Sequence, residues 1–218
     1  MSEREPRLEP PTPEDNEPTG STPEELNIPA IYGESNPMTE VMTCETPGGS
    51  WAWYTDQGVG YSKNENQDAI VVDPENEGMA VIDGMGGHPN GTEAAQILAE
   101  SLDGHLTGIA QIETGQLSAV DRMQNELDSV ESGACYLAAH RTGNRLEILY
   151  AGDVRLAKYN PDGAHEFSTE DHGEGRVVRK YVSPSAPTIR GDIIEKPIES
   201  GNLIVVAIDG LWDNYSET

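Results

Sequence analysis

Apolar side chains are sparse over the first 48 positions and become periodic only from about Trp51. Glu9-Pro10-Pro11-Thr12-Pro13-Glu14-Asp15 and Gly20-Ser21-Thr22-Pro23-Glu24-Glu25 combine proline and acid with almost nothing to bury. Such segments cannot offset the entropy lost on folding. Residues 1–48 therefore read as an acidic, proline-rich, disordered tail, and 49–218 as one folded domain. Within the tail, Ile28-Pro29-Ala30-Ile31-Tyr32 is a short apolar segment suited to docking, and nothing in it names a partner.

Beyond the tail the pattern alternates between strand and helix periods. Trp51–Thr55 predicts a strand, followed by a turn at Gly58 and Gly60. Ala69–Asp73 and Met79–Asp83 predict two more strands, joined by the turn-forming Pro74-Glu75-Asn76-Glu77-Gly78. Helical spacing of Ala95, Leu98, Ala99 and Leu102 predicts a helix over 92–106, with Thr92 as its cap. A second helix is predicted over 117–130, with Val120, Met123 and Leu127 on one face. Strands then return at 134–140, 145–151, 155–159 and 202–208. Strands, then helices, then more strands argue against a βαβ repeat and for a layered α+β domain.

Composition narrows the partners. The chain of 218 residues carries 39 acidic and 13 basic residues, a formal net charge of −26. Phosphate backbones repel such a surface, so nucleic acid is not an expected partner. Residues 1–45 hold 11 acids and two bases, so most of the excess lies in the domain itself. No apolar run approaches a membrane span, and the N-terminus lacks the basic and apolar stretches of a secretory signal. Two cysteines, Cys44 and Cys135, form no disulfide framework, and Cys135 reads as a small buried hydrophobe. A cytoplasmic location fits these features.

The informative chemistry sits at strand ends. Val81-Ile82-Asp83-Gly84 and Val206-Ala207-Ile208-Asp209-Gly210 both end an apolar run in Asp-Gly. Asp-Gly alone is a common turn, but an unpaired carboxylate ending a buried strand is costly. Asp68 before Ala69-Ile70-Val71-Val72 and Asp153 in Gly152-Asp153-Val154-Arg155 add a third and a fourth. Aspartates without nearby lysine or arginine imply a cation between them. Oxygen donors select hard ions such as Mg²⁺ or Mn²⁺, and the scattered histidines and cysteines give no zinc spacing. No phosphate-binding Gly-x-x-x-x-Gly-Lys loop and no Gly-x-Ser-x-Gly elbow is present.

Taken in order, five stretches resemble the metal-dependent serine/threonine phosphatases of the protein phosphatase 2C (PPM) type, particularly compact bacterial members. They are Lys63–Ala69, Val81–His88, Tyr150–Arg155, Thr169–His172 and Val206–Asp213, and the likeness covers about residues 50–218. The resemblance implies two antiparallel β-sheets packed as a sandwich with flanking helices. It implies that Asp83 bridges two Mn²⁺ or Mg²⁺ ions, that the Gly84 carbonyl completes one shell, and that Asp209 binds one ion. Asp68 and Gln67 would hold metal-bound waters, and Asp153 with Asp213 matches positions that recruit a third ion in some members. Two ions of this kind acidify water and stabilise phosphoryl charge, so hydrolysis needs no phosphoenzyme. The implied partners are phosphoprotein substrates and a serine/threonine kinase, with a monomeric chain.

Three positions depart from the family. Lys63 stands where an arginine usually grips the substrate phosphate, which keeps the charge and loses the bidentate fork. Met85 stands where some members carry a histidine proposed as general acid, as in bacterial relatives, and His88 is a loop histidine near the same stretch. The chain ends at Thr218, soon after Asp213, where the family continues to a further metal-binding Asp-Asn pair, so the domain is expected to be C-terminally incomplete. These departures define an alternative, a non-catalytic module of the same fold that binds phosphoprotein or a regulator.

Overall fold

The computed structural model describes residues 31–34, 37–56, 65–86, 90–129, 131–174, 177–185 and 191–212. Its first strands are β1 (Ile31–Tyr32), β2 (Met42–Thr46), β3 (Gly49–Trp53), β4 (Asp68–Asp73) and β5 (Gly78–Gly84). Two helices follow, α1 (Gly91–Leu102) and α2 (Ile109–Glu126). The chain then returns to strands: β6 (Ala134–Thr142), β7 (Arg145–Ala151), β8 (Arg155–Tyr159) and β9 (His165–Ser168). The last described elements are β10 (Gly173–Glu174), β11 (Val177–Val178), β12 (Asp192–Pro197), β13 (Leu203–Ala207) and the short α3 (Asp209–Trp212).

Six strands form an antiparallel sheet in the order β1-β4-β5-β6-β7-β12. Three more form a second antiparallel sheet, β13-β8-β9. Alternation along the central strands divides the interior into two cores. Ala69, Val71, Ala80, Ile82 and Tyr136 face one way and pack against α1 and α2. Ile70, Val72, Val81, Leu137 and Ile148 face the other way, onto Leu156 of β8 and Trp53 of the β2–β3 hairpin. The α+β sandwich is therefore layered: helices, a six-stranded sheet, then the smaller sheet with the hairpin.

The strands expected at 145–151 and 155–159 coincide with β7 and β8. Other boundaries moved for identifiable reasons. The helix predicted from residue 117 begins at Ile109, and Gly115 lies inside it. That glycine lets α2 approach α1, since a Cβ there would come within 2.6 Å of the Ser101 carbonyl oxygen. Thr92 is not the cap of α1. Asn90, in the left-handed region at φ 61, precedes the helix, and the Thr92 hydroxyl donates to Glu65 Oε2 (3.3 Å).

Of the tail expected over 1–48, residues 1–30 lie outside the described residues, and several of those described are paired in strands. Ile31 and Tyr32 pair with Val71 and Ile70, and Met42–Thr46 pairs with β3. Tyr32 is buried and its ring meets Trp53 at a tilt, with centroids 6.0 Å apart. The apolar Ile31-Tyr32 segment thus docks onto this chain's own sheet, because β4 would otherwise present an unpaired edge. Among the described residues no helix is long and apolar enough to cross a membrane.

Candidate functional site

Strand alternation and register assemble the site. Asp68 begins β4 and shares the parity of Ile70 and Val72, and Asp83 is the last residue but one of β5 and shares the parity of Val81, so alternation turns both toward the layer between the sheets. The two carboxylates stand directly opposite each other across the β4–β5 pair. Next in the same row is Cys135 of β6, opposite Asp83. Like charges directly opposite on an antiparallel pair are destabilising, so this arrangement is not a packing solution.

Asp153, in a turn, and Asp209, at the start of α3, reach the same end of the sandwich. The turn after β7 passes so close to β6 that a Cβ on Gly152 would lie 2.4 Å from Cys135 Sγ, and Gly152 adopts φ +113. Only glycine fits there, and the close approach sets Asp153 beside the Cys135 thiol. Asp209 follows β13, whose Ala207 pairs with Arg155 two residues beyond Asp153. Gly84 closes the arrangement from β5. Its N–H donates to the Gln67 carbonyl (3.0 Å), and a Cβ would lie 2.4 Å from the Gly91 carbonyl oxygen at the start of α1.

Electrostatics couples all four carboxylates. Burial, and then the charge of Asp209, pushes the Asp68 carboxyl up to about 7. Burial also raises Asp83 well above the usual carboxylate range, with Asp68, Asp153 and Asp209 adding to the effect. Burial and the neighbouring Asp153 and Asp83 charges push the Cys135 thiol upward, so it stays protonated and is no thiolate nucleophile. No described lysine or arginine forms an ion pair with Asp68, Asp83 or Asp153.

These residues fit a hydrated hard cation. Asp153 Oδ1, an acceptor, is buried without a hydrogen-bond partner, and the buried Gln67 Nε2 is an unpartnered donor that suits a water and not the cation itself. Among the described residues no three His, Cys, Asp or Glu side chains gather tightly enough to hold one ion by themselves. The donor set instead suits an ion that keeps several waters and takes one or two carboxylates, as Mg²⁺ and Mn²⁺ do. Lys63, His88 and Asp213, together with the turn expected at Gly58 and Gly60, lie outside the described residues.

Two supporting residues escaped the reading of the sequence. Asn66 is buried; its Oδ1 accepts the Asp68 N–H (3.1 Å) and its Nδ2 donates to Thr55 Oγ1 (3.1 Å). Its signal is an asparagine two residues ahead of the aspartate it turns, an Asx-turn pattern. His172 Nδ1 accepts the Gly152 N–H (3.1 Å), which leaves the Nε2 proton facing Asp192 Oδ2 (3.0 Å). The imidazole stacks on Tyr150 at 4.6 Å, and Lys180 pairs with the other Asp192 oxygen. Lys180 first, and His172 after it, hold Asp192 below the usual carboxylate range. No local pattern announces this tether, since Gly152 and His172 are 20 residues apart.

A shallow depression of about 350 Å³ lined by Arg155, His165, Ser168, Thr169, Glu170 and Asp171 lies beside the carboxylates rather than on them. Arg155 makes a two-pronged contact with Asp171 (3.2 and 2.7 Å) and lies 5.7 Å from the Trp212 ring centroid.

No protein-family model and no curated protein sequence matches the chain. Solved structures do match. The catalytic domain of the serine/threonine protein phosphatase PstP, in complex with 2 manganese ions, aligns with TM-score 0.60 and 22% identity over 75% of this chain and 78% of that one. PppA, a key regulatory component of T6SS in Pseudomonas aeruginosa, aligns at 0.65 and 24% identity over 73% and 77%. The PPM Ser-Thr phosphatase MsPP from Mycobacterium smegmatis, in complex with cacodylate, aligns at 0.63 and 20% identity over 81% and 80%. The chain has the fold of the PPM-type serine/threonine phosphatases.

Proposed function

We propose that this chain hydrolyses phosphoserine and phosphothreonine in proteins with the aid of two divalent cations. The observation that carries the reading is the convergence of Asp68, Asp83, Asp153 and Asp209 on one another without a compensating lysine or arginine at the first three. On this reading Asp83, the Gly84 carbonyl and Asp209 would hold the Mn²⁺ or Mg²⁺ ions, and Asp68 and Gln67 would hold their waters. Asp153, with Asp213, would serve a third ion. The PstP structure solved with manganese supports the choice of ion by likeness of fold.

When bound, such ions supply Lewis acidity, acidifying water and neutralising phosphoryl oxygens. The chain's own residues do the rest. Asp68 and Asp83 are fixed by adjacent strands, so their spacing is set before substrate arrives. The protonated Cys135 keeps the floor of the site free of a competing nucleophile. Lys63 supplies a positive charge for the substrate phosphate, without the fork of an arginine. The partners are phosphoproteins and the kinase that modifies them, with a monomeric chain in the cytoplasm.

Hydrolysis of a phosphothreonine peptide tests the reading. Turnover with Mn²⁺ that disappears in EDTA and after Asp83→Asn supports it. Turnover equal to the buffer blank in every condition supports the alternative, a non-catalytic module of the same fold. The loose gathering of the carboxylates is the observation that keeps this second reading in view.

A further inference from the structure

We propose that Ile31–Glu34 is a strap that sets Asp68, the candidate holder of metal-bound water, through Asn66, with Glu34 as the positioning residue. The inference rests on the reading of Asp68 given above. β1 runs antiparallel to β4, and its pairing of Ile31 with Val71 and Tyr32 with Ile70 carries the strap toward the Asp68 end of that strand. Gly33 then lies against Asp68 itself. A Cβ at that position would be 2.8 Å from the Asp68 carbonyl oxygen and 3.4 Å from Ala69 Cα, so a larger residue would push the strap away.

Glu34 comes next and reaches the turn that presents Asp68. Its Oε2 accepts the backbone N–H of Asn66 at 2.7 Å. Asn66 in turn accepts the Asp68 N–H through Oδ1 and is anchored by Thr55 through Nδ2. Thr55 is buried as well, and its N–H reaches Met38 Sδ at 3.3 Å. Between the two fixed amides sits Gln67, whose carbonyl accepts the Gly84 N–H. The backbone on both sides of Gln67 is thus pinned, and the charged acceptor at its outer end comes from the strap. A charged acceptor makes this the strongest kind of link in the series.

Glu34 touches only the backbone of Asn66 in this series, so its role is to position and not to ligate. Losing a direct outer-shell partner of a metal ligand lowers metal affinity by about 10–100-fold, and Glu34 stands one link further out, behind Asn66, so the loss expected of it is at the lower end of that range. Glu34 is exposed, so its substitution leaves both cores intact.

Manganese affinity of the full chain, followed by the electron paramagnetic resonance of free Mn²⁺, tests the proposal alongside melting temperature in EDTA. Glu34→Ala is expected to weaken Mn²⁺ binding by about tenfold. Glu34→Gln keeps an oxygen acceptor and is expected to stay within about threefold of the parent chain. Glu34→Asp, one methylene short, gives a second comparison and should fall between them. Equal affinity in the parent and Glu34→Ala overturns the proposal while leaving the phosphatase reading intact. So does a lowered melting temperature with unchanged affinity, or equal losses in Glu34→Ala and Glu34→Gln. A parent chain that binds no Mn²⁺ overturns both.

Discussion

Asp68 and Asp83 face each other across one strand pair, and each is held away from its ordinary titration by burial and by like charge. A neutral isostere at one of them should therefore relieve the metal-free protein. Asp83→Asn is expected to raise stability in EDTA by about 1 kcal/mol or more and to abolish the stabilisation given by Mn²⁺. Thermal melts with and without the ion check both signs. The pH dependence follows from the same pair. Between the unfolded Asp value near 4 and the folded Asp68 value of about 7, the folded state holds the extra proton. In EDTA the contribution of Asp68 to stability is then greatest at low pH and is lost as pH rises through that window. Asp68→Asn should flatten this fall between pH 5 and pH 8, and a parent chain whose melting temperature rises over the same range in EDTA would contradict it. Added Mn²⁺ should stabilise more at pH 8 than at pH 5, because protons compete for the same oxygens.

At the scale of elements, Gly115 decides how closely the helices meet. Alanine is the better helix former by about 1 kcal/mol, but its Cβ would meet the Ser101 carbonyl oxygen at 2.6 Å. The clash is with backbone and cannot be relieved by a rotamer, so Gly115→Ala is expected to lose roughly 1–2 kcal/mol net in a denaturant titration. The same glycine hid the start of α2 from a reading based on helical periodicity. Legibility tracked burial elsewhere too. Ala134–Ala139 and Ile148–Ala151 are continuously buried, so their apolar runs marked β6 and β7 plainly. β12 was not legible: Asp192-Ile193-Ile194-Glu195-Lys196-Pro197 is a half-exposed edge strand, and its partner lies more than 40 residues upstream. β1 was hidden for a related reason, since two residues in an acidic, proline-rich context carry no period of their own. Among site residues, those ending apolar strands stood out because burial makes a carboxylate there conspicuous. Asn66 and His172 act through backbone amides of other residues, and only folding brings the His172 tether together.

The whole molecule carries a net charge of −26, and its self-repulsion opposes compaction. Screening should relieve this, so the melting temperature is expected to climb as NaCl is raised from low to molar concentration. A flat or falling curve would show that the acidic surface costs the fold little. Within this acidic shell the sandwich sets carboxylates from two strands, a turn and the start of α3 at one end of the layer between its sheets. The similarity in fold to structures such as PstP and MsPP places that end in a familiar architecture, and the central claim concerns what gathers there. Anomalous diffraction from crystals of the chain grown with Mn²⁺ tests that claim most directly. Two peaks sharing Asp83, with Asp209 on one of them, are the predicted result; peaks only elsewhere on the acidic surface, or none at all, would contradict it.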